Sequence, residues 1–83
     1  MIHKNFRTPY GEIDLVLKDP DDGGVLFVEV KVDLVGREGD EIWSRAQRLR
    51  FRRSMGWYGK REFCIVQGGV VLMTRKKIQL IRL

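Results

Sequence analysis

The sequence predicts an α+β domain, a single mixed β-sheet carrying one substantial helix. Three observations lead there. Polar and apolar residues alternate with a period of two over Glu12–Leu17 and again over Phe27–Val32, the pattern of half-buried strands. The segment from Ile42 to Ser54 repeats instead at helical spacing, and short apolar runs close the chain after it. With 83 residues the chain has the length of one domain, residues 1–83, with a limited core.

Each element has its own warrant. Met1-Ile2-His3-Lys4-Asn5-Phe6 already belongs to a first strand. Ile13, Leu15 and Leu17 then alternate with Glu12 and Asp14. Asp19-Pro20-Asp21-Asp22-Gly23-Gly24 is rich in turn formers, so the next strand, with Val28, Val30 and Val32 alternating with Phe27, Glu29 and Lys31, returns as a hairpin. For the helix, Asp40 after Gly39 is the expected N-cap. Ile42, Ala46, Leu49 and Arg53 form one stripe and Trp43, Gln47, Arg50 and Ser54 the next, and Gly56 or Gly59 is the expected end. Glu62–Gln67, Val70–Met73 and Ile78–Leu83 read as closing strands, punctuated by Gly68-Gly69 and Arg75-Lys76-Lys77.

The two early strands carry the chemistry. Side chains two apart on a strand share a face, so Glu12 falls beside Asp14, and Glu29 beside Lys31 on the neighbouring strand. In a cooperating register all four groups converge. Three close acids repel one another and titrate upward unless a cation joins them, and oxygen ligands of this kind suit Mg²⁺ or Mn²⁺. The implied chemistry is metal-dependent cleavage of a phosphodiester. The plainer reading is that Val28-Glu29-Val30-Lys31-Val32 is an ordinary half-exposed strand with its charges in water. Against it, the Glu12/Asp14 pair precedes at hairpin distance, and Phe27 shares the face of Glu29. Rival chemistries lack residues: the one histidine, His3, lies near the N-terminus, where a structural or solvent-facing role is the ordinary one.

Charge is unevenly distributed. Sixteen Lys and Arg against eleven Asp and Glu give a formal charge of +5 and a pI near 9.8. Ten of the acids lie between Glu12 and Glu41, whereas Trp43 through Arg61 hold no acid and seven bases. These are Arg45, Arg48, Arg50, Arg52, Arg53, Lys60 and Arg61. An arginine-rich helix is also a common solvated face, but with no acid on it to pair with, contact with the phosphates of a nucleic acid is favoured. Trp43, Phe51, Trp57 and Tyr58 are expected in the core rather than as base-stacking platforms.

The run Asn5-Phe6-Arg7-Thr8-Pro9-Tyr10-Gly11-Glu12-Ile13-Asp14-Leu15-Val16, followed by Phe27-Val28-Glu29-Val30-Lys31, resembles the YraN-like family of uncharacterised bacterial proteins. That family belongs to the restriction-endonuclease-like superfamily, named for its PD-(D/E)XK signature. The resemblance implies a restriction-endonuclease-like mixed sheet. It makes Asp14 and Glu29 metal ligands and Lys31 the group that orients or activates the attacking water. The Val30 carbonyl becomes a further metal ligand, and Glu12 a ligand or supporting group. Gln47 corresponds to a helix residue directed at the metal-bound water or substrate, although the lysine that usually precedes it is Ala46 here. Where the family usually has Arg-Phe-Asp-Val-Val, this chain has Gln67-Gly68-Gly69-Val70-Val71. The family's usual N-terminal helix is also missing, by nature or by truncation, so an uncovered apolar sheet face is expected to drive homodimerisation.

Cys64 has no partner for an intrachain disulfide, which fits a reducing cytoplasm, and no stretch is long enough to span a bilayer. Three functions follow: a Mg²⁺- or Mn²⁺-dependent endonuclease acting on DNA, a catalytically degenerate nucleic-acid-binding module, and a protein-interaction module on the same fold.

Overall fold

The structure, a computed structural model, describes residues 2–36 and 42–83. Strands β1 (His3–Thr8), β2 (Gly11–Lys18) and β3 (Val25–Asp33) precede helix α1 (Arg45–Glu62), and β4 (Val66–Thr74) and β5 (Ile78–Arg82) follow it. The five strands form one sheet in sequence order. All neighbours are antiparallel except β3 and β4, which run parallel, so α1 is the crossover a parallel pair requires. The mixed sheet with one main helix is the α+β architecture the patterning predicts.

α1 covers one face of the sheet. Beneath it lie Ile13, Val16, Val25, Phe27 and Val70, joined by Trp43, Phe51 and Tyr58. The aromatics are therefore core: Phe27 meets Tyr58 with ring centroids 5.2 Å apart, and Trp43 meets Phe51 at 5.4 Å, both edge to face. On the other face stand Leu26, Val28, Val30 and Val32, aligned with Gly69, Val71 and Met73 and, beyond them, Leu80 and Ile78. Leu26 and Val28 are buried there, whereas Val32, Leu80 and Ile78 are exposed.

The helix differs from expectation at both ends. Asp40 lies outside the described residues, and the N-cap is Ser44. Its Oγ accepts the Gln47 N–H at 3.2 Å while Gln47 Oε1 accepts the Ser44 N–H at 2.9 Å, a capping box spelled Ser44-x-x-Gln47. Neither Gly56 nor Gly59 stops the helix, which runs to Glu62 and is capped by Phe63 in the left-handed conformation, φ 52°. Gly59 serves the ending differently: its carbonyl accepts the N–H groups of Phe63 and Cys64, and a Cβ there would lie 3.1 Å from the Cys64 carbonyl oxygen. The buried stripe is Phe51, Ser54 and Tyr58, while Ala46 and Leu49 are exposed. Two large aromatics bury more area than an alanine and a leucine, so they select the inward face.

Gly68-Gly69 do not separate two strands. β4 passes straight through them, and Glu62, expected to open a strand, ends α1 instead. Gly68 lets the helix approach: a Cβ there would sit 3.0 Å from Met55 Sδ and 3.2 Å from Phe51 Cε1.

Candidate active site

The site begins with an irregularity in β2. Ile13 and Val16 are both buried under α1 although they are three apart, which strict alternation forbids. The cause lies in β1, where Asn5 adopts a left-handed backbone, φ 51°, that asparagine tolerates better than most residues. The β1–β2 ladder pairs Phe6 with Ile13 and Lys4 with Leu15 but omits Asn5 and Asp14 between them. In the same way His3 and Phe6, three apart, stack at 4.6 Å on one side.

On its other side β2 pairs with β3 only as far as Leu15 and Val28. The next partners would be Asp14 and Glu29, and there side chains replace the ladder. Asp14 Oδ2 accepts the Val30 N–H at 2.8 Å, and Glu29 Oε1 accepts the Asp14 N–H at 3.4 Å. Since the N–H and C=O of an extended residue point to the same edge, the Val30 carbonyl also faces this opened seam.

Glu29, Lys31 and Glu12 line a cleft of about 220 Å³ between the sheet and the start of α1, together with Tyr10, Gln47 and Arg50. Asp14 does not line the cleft; its backbone N–H contacts the Glu29 carboxylate that does. Burial pushes the Glu29 carboxyl above the usual range, and the charge of Asp14 adds to it. The Asp14 N–H and the Lys31 ammonium oppose the shift without cancelling it. The β1–β2 turn that carries Tyr10 and leads to Glu12 is tied to the helix, because Thr8 Oγ1 and Ser54 Oγ lie 2.7 Å apart and Ser54 also donates to the Arg50 carbonyl at 3.0 Å.

The expected convergence is therefore arranged in two parts. Asp14 and Glu29 grip each other's strands, and Glu12, Glu29 and Lys31 share the cleft. Among the described residues no three acids, histidines or cysteines are close enough to form a metal-holding group on their own. The donor set still fits Mg²⁺ or Mn²⁺, which are commonly held by one or two carboxylates with water and substrate phosphate completing the shell. Two adjacent carboxylates, one of them reluctant to ionise, are what a hard divalent cation relieves.

Gln47 lines the cleft with its side-chain oxygen already accepting the Ser44 N–H, so its amide nitrogen is the group freest to meet a ligand. Arg45, Arg48, Arg50, Arg52 and Arg53 are all exposed, yet they do not form one wall. Arg50 lines the cleft, whereas Arg48 and Arg52 line a separate groove between α1 and β4. Gly69, standing where the family pattern has Asp, aligns with Val28 on the face away from α1, so a side chain there would not enter the cleft. Tyr10, Thr8 and Ser54 were not singled out from the sequence.

Among the described residues no helix is long and apolar enough to cross a membrane. The model of Uncharacterised protein family UPF0102 matches residues 1–82. A UPF0102 protein of Shewanella pealeana (strain ATCC 700345 / ANG-SQ1) is 39% identical over 59 residues, covering 69% of this chain and 51% of that protein. The chain thus spans about half the length of the curated relative it matches. No solved structure matches the chain.

Proposed function

The chain belongs to Uncharacterised protein family UPF0102, the YraN-like group with a PD-(D/E)XK nuclease-like fold, and from that premise we propose a metal-dependent endonuclease acting on the phosphodiester backbone of DNA. The observation that carries this reading is the reciprocal grip of Asp14 and Glu29 at the opened seam, with Lys31 in the adjoining cleft. Asp14, Glu29 and the Val30 carbonyl would hold Mg²⁺ or Mn²⁺. The cation's chemistry, when bound, is to neutralise the phosphate and to lower the pKa of a coordinated water.

The chain's own groups do the rest. Lys31 supplies positive charge where the pentavalent transition state gathers negative charge. Arg50 offers the same cleft a guanidinium for a flanking phosphate, and Gln47 an amide donor. Arg45, Arg48, Arg52 and Arg53 give the exposed surface of α1 its affinity for the DNA backbone. A free cysteine in a small domain fits the cytoplasm as its compartment.

The test is a Mg²⁺ or Mn²⁺ titration followed by incubation with plasmid and branched DNA, beside an Asp14→Asn/Glu29→Gln variant. Metal binding with cleavage only by the unmutated chain supports the reading, and a folded chain that binds no metal overturns it. A second reading, a nuclease fold that binds DNA without turnover, is favoured by two observations: the oxygen of Gln47 is spent on the helix cap, and Ala46 stands where the family pattern has lysine. DNA binding without cleavage, weakening steeply with salt, would decide for it.

A further inference from the structure

The two edges of the sheet are built differently. β1 carries Lys4 and Arg7 and is kinked at the left-handed Asn5, devices that discourage a foreign strand from pairing. β5 has neither protection. It is exposed along its whole length, contains no proline and no residue of positive φ, and bears one charge, Arg82. That charge is drawn inward. Arg82 Nη2 lies 2.9 Å from Oδ2 of the buried Asp19, and Nη1 3.8 Å from Asp21. Apart from Gln79, what remains at the edge is apolar: Ile78 is 70% exposed, Leu80 50% and Ile81 39%. Beside these side chains runs a row of backbone N–H and C=O groups facing away from β4.

We propose that β5 is a self-pairing edge, to which a second copy of this chain adds its own β5 antiparallel across a two-fold axis. The strand is complementary to itself. With the axis at Leu80, Ile78 lies opposite the copy's Arg82 and Gln79 opposite its Ile81, so no charge meets its like. Ile78 and Leu80 share the face of Met73 and Val71, away from α1. Antiparallel pairing keeps faces in register, so on that face Leu80 meets the copy's Leu80 at the axis and each Ile78 lies beside the aliphatic stem of the copy's Arg82. An unrelated strand would satisfy the backbone groups but would not by construction set leucine against Leu80 and an uncharged residue against Arg82, which is why a second copy is the occupant assigned.

A two-fold axis normal to the sheet leaves both helices on one side. Five strand-to-strand steps of about 4.8 Å separate β3 from its copy, placing the two Glu29 positions about 24 Å apart on the same side of the joined sheet. On the nuclease reading, one duplex then meets both clefts. The dimer itself does not depend on that reading.

The experiment is light scattering on the 83-residue chain across a concentration series, with Ile78→Lys/Leu80→Lys as the edge variant and Leu49→Lys, on the exposed helix surface, as control. The expected result is twice the 9.7 kDa mass for the unmutated chain and the control, and a monomer for the edge variant with unchanged circular dichroism. A monomer at every concentration overturns the proposal, as does a dimer that survives the edge variant. Should that variant unfold, amide exchange on the unmutated chain decides: β5 amides must slow as concentration rises, and concentration-independent exchange overturns the idea. Neither readout involves metal or DNA, so failure here leaves the proposed activity standing and failure of the activity leaves the dimer standing.

Discussion

Asp14 and Glu29 hold each other's strands through carboxylate-to-backbone bonds, Asp14 Oδ2 taking the Val30 N–H at 2.8 Å and Glu29 Oε1 the Asp14 N–H at 3.4 Å. The exchange is unequal, because Glu29 is the partner whose ionised form suffers from burial and from its neighbour's charge. Its folded pKa therefore exceeds the unfolded value of about 4.5. Stability from this group is intact below that value and is lost as pH rises through the folded pKa. Glu29→Gln keeps an oxygen for the Asp14 N–H and removes the charge. Urea unfolding at pH 7 should show a gain toward the lower end of the about 0.5–2 kcal/mol typical of single stabilising substitutions, since water partly screens the site, and the gain should vanish at acid pH. A less stable variant at pH 7 would contradict the account.

A divalent cation should supply the same relief. Binding to the folded state alone stabilises by about 2.7 kcal/mol at one hundred times Kd, so Mg²⁺ should raise the melting temperature of the unmutated chain. Asp14→Asn/Glu29→Gln should not respond. An equal response in both proteins would place the ion elsewhere.

At the far end of β2, Asp19 has the opposite sign. The Asp21 N–H, 2.9 Å from Oδ1, and then the Arg82 guanidinium hold its carboxyl below the usual range against the opposing effect of burial. Its contribution is present above the unfolded value of about 3.8 and is lost as pH falls through the depressed folded pKa. Arg82→Met should therefore be clearly destabilising at pH 7, with the two proteins converging below pH 3.8. A constant difference across that range would assign the loss to packing rather than to charge.

How much of this was legible in the residues depends on the kind of signal. Glu12–Leu17 and Phe27–Val32 announced themselves as strands by their near-alternation of apolar and charged residues, and with the turn formers of Asp19–Gly24 between them Asp14, Glu29 and Lys31 could be placed near one another. The kink at Asn5 could not be read, since a left-handed residue inside a strand leaves no mark on hydrophobic periodicity. Gly68 and Gly69 misled for a related reason. A glycine chosen for a turn and one chosen for close approach look alike until Phe51, Met55 and Leu80 are in place. The helix start was legible in Ser44-x-x-Gln47, whose residue types at that spacing are the signature of a capping box.

Phe63 offers a direct test of the helix ending. It holds φ 52° with 95% of its surface exposed, so its ring contributes little packing while its Cβ opposes the conformation. Glycine is the residue that ending prefers. Phe63→Gly should raise stability by about 1 kcal/mol, seen as an increase in melting temperature of roughly 4–8 °C for a domain of this size. No change, or a loss, would mean that the ring covers apolar surface.

Lys31 and Arg50 line the same cleft, yet their roles differ, and a paired measurement separates them. Lys31 stands two residues beyond Glu29 on β3 and already feels its charge, whereas Arg50 approaches from the helix. If Lys31 serves the transition state, Lys31→Ala should lower the cleavage rate by about 100-fold or more, with DNA affinity nearly unchanged. Arg50→Ala should weaken binding instead. Losing one phosphate contact reduces the slope of log K against log salt by about 0.9 for duplex DNA, at every sequence alike. Cleavage by Lys31→Ala at the unmutated rate would remove the lysine from the chemistry, and an unchanged salt slope for Arg50→Ala would remove the arginine from the phosphate path.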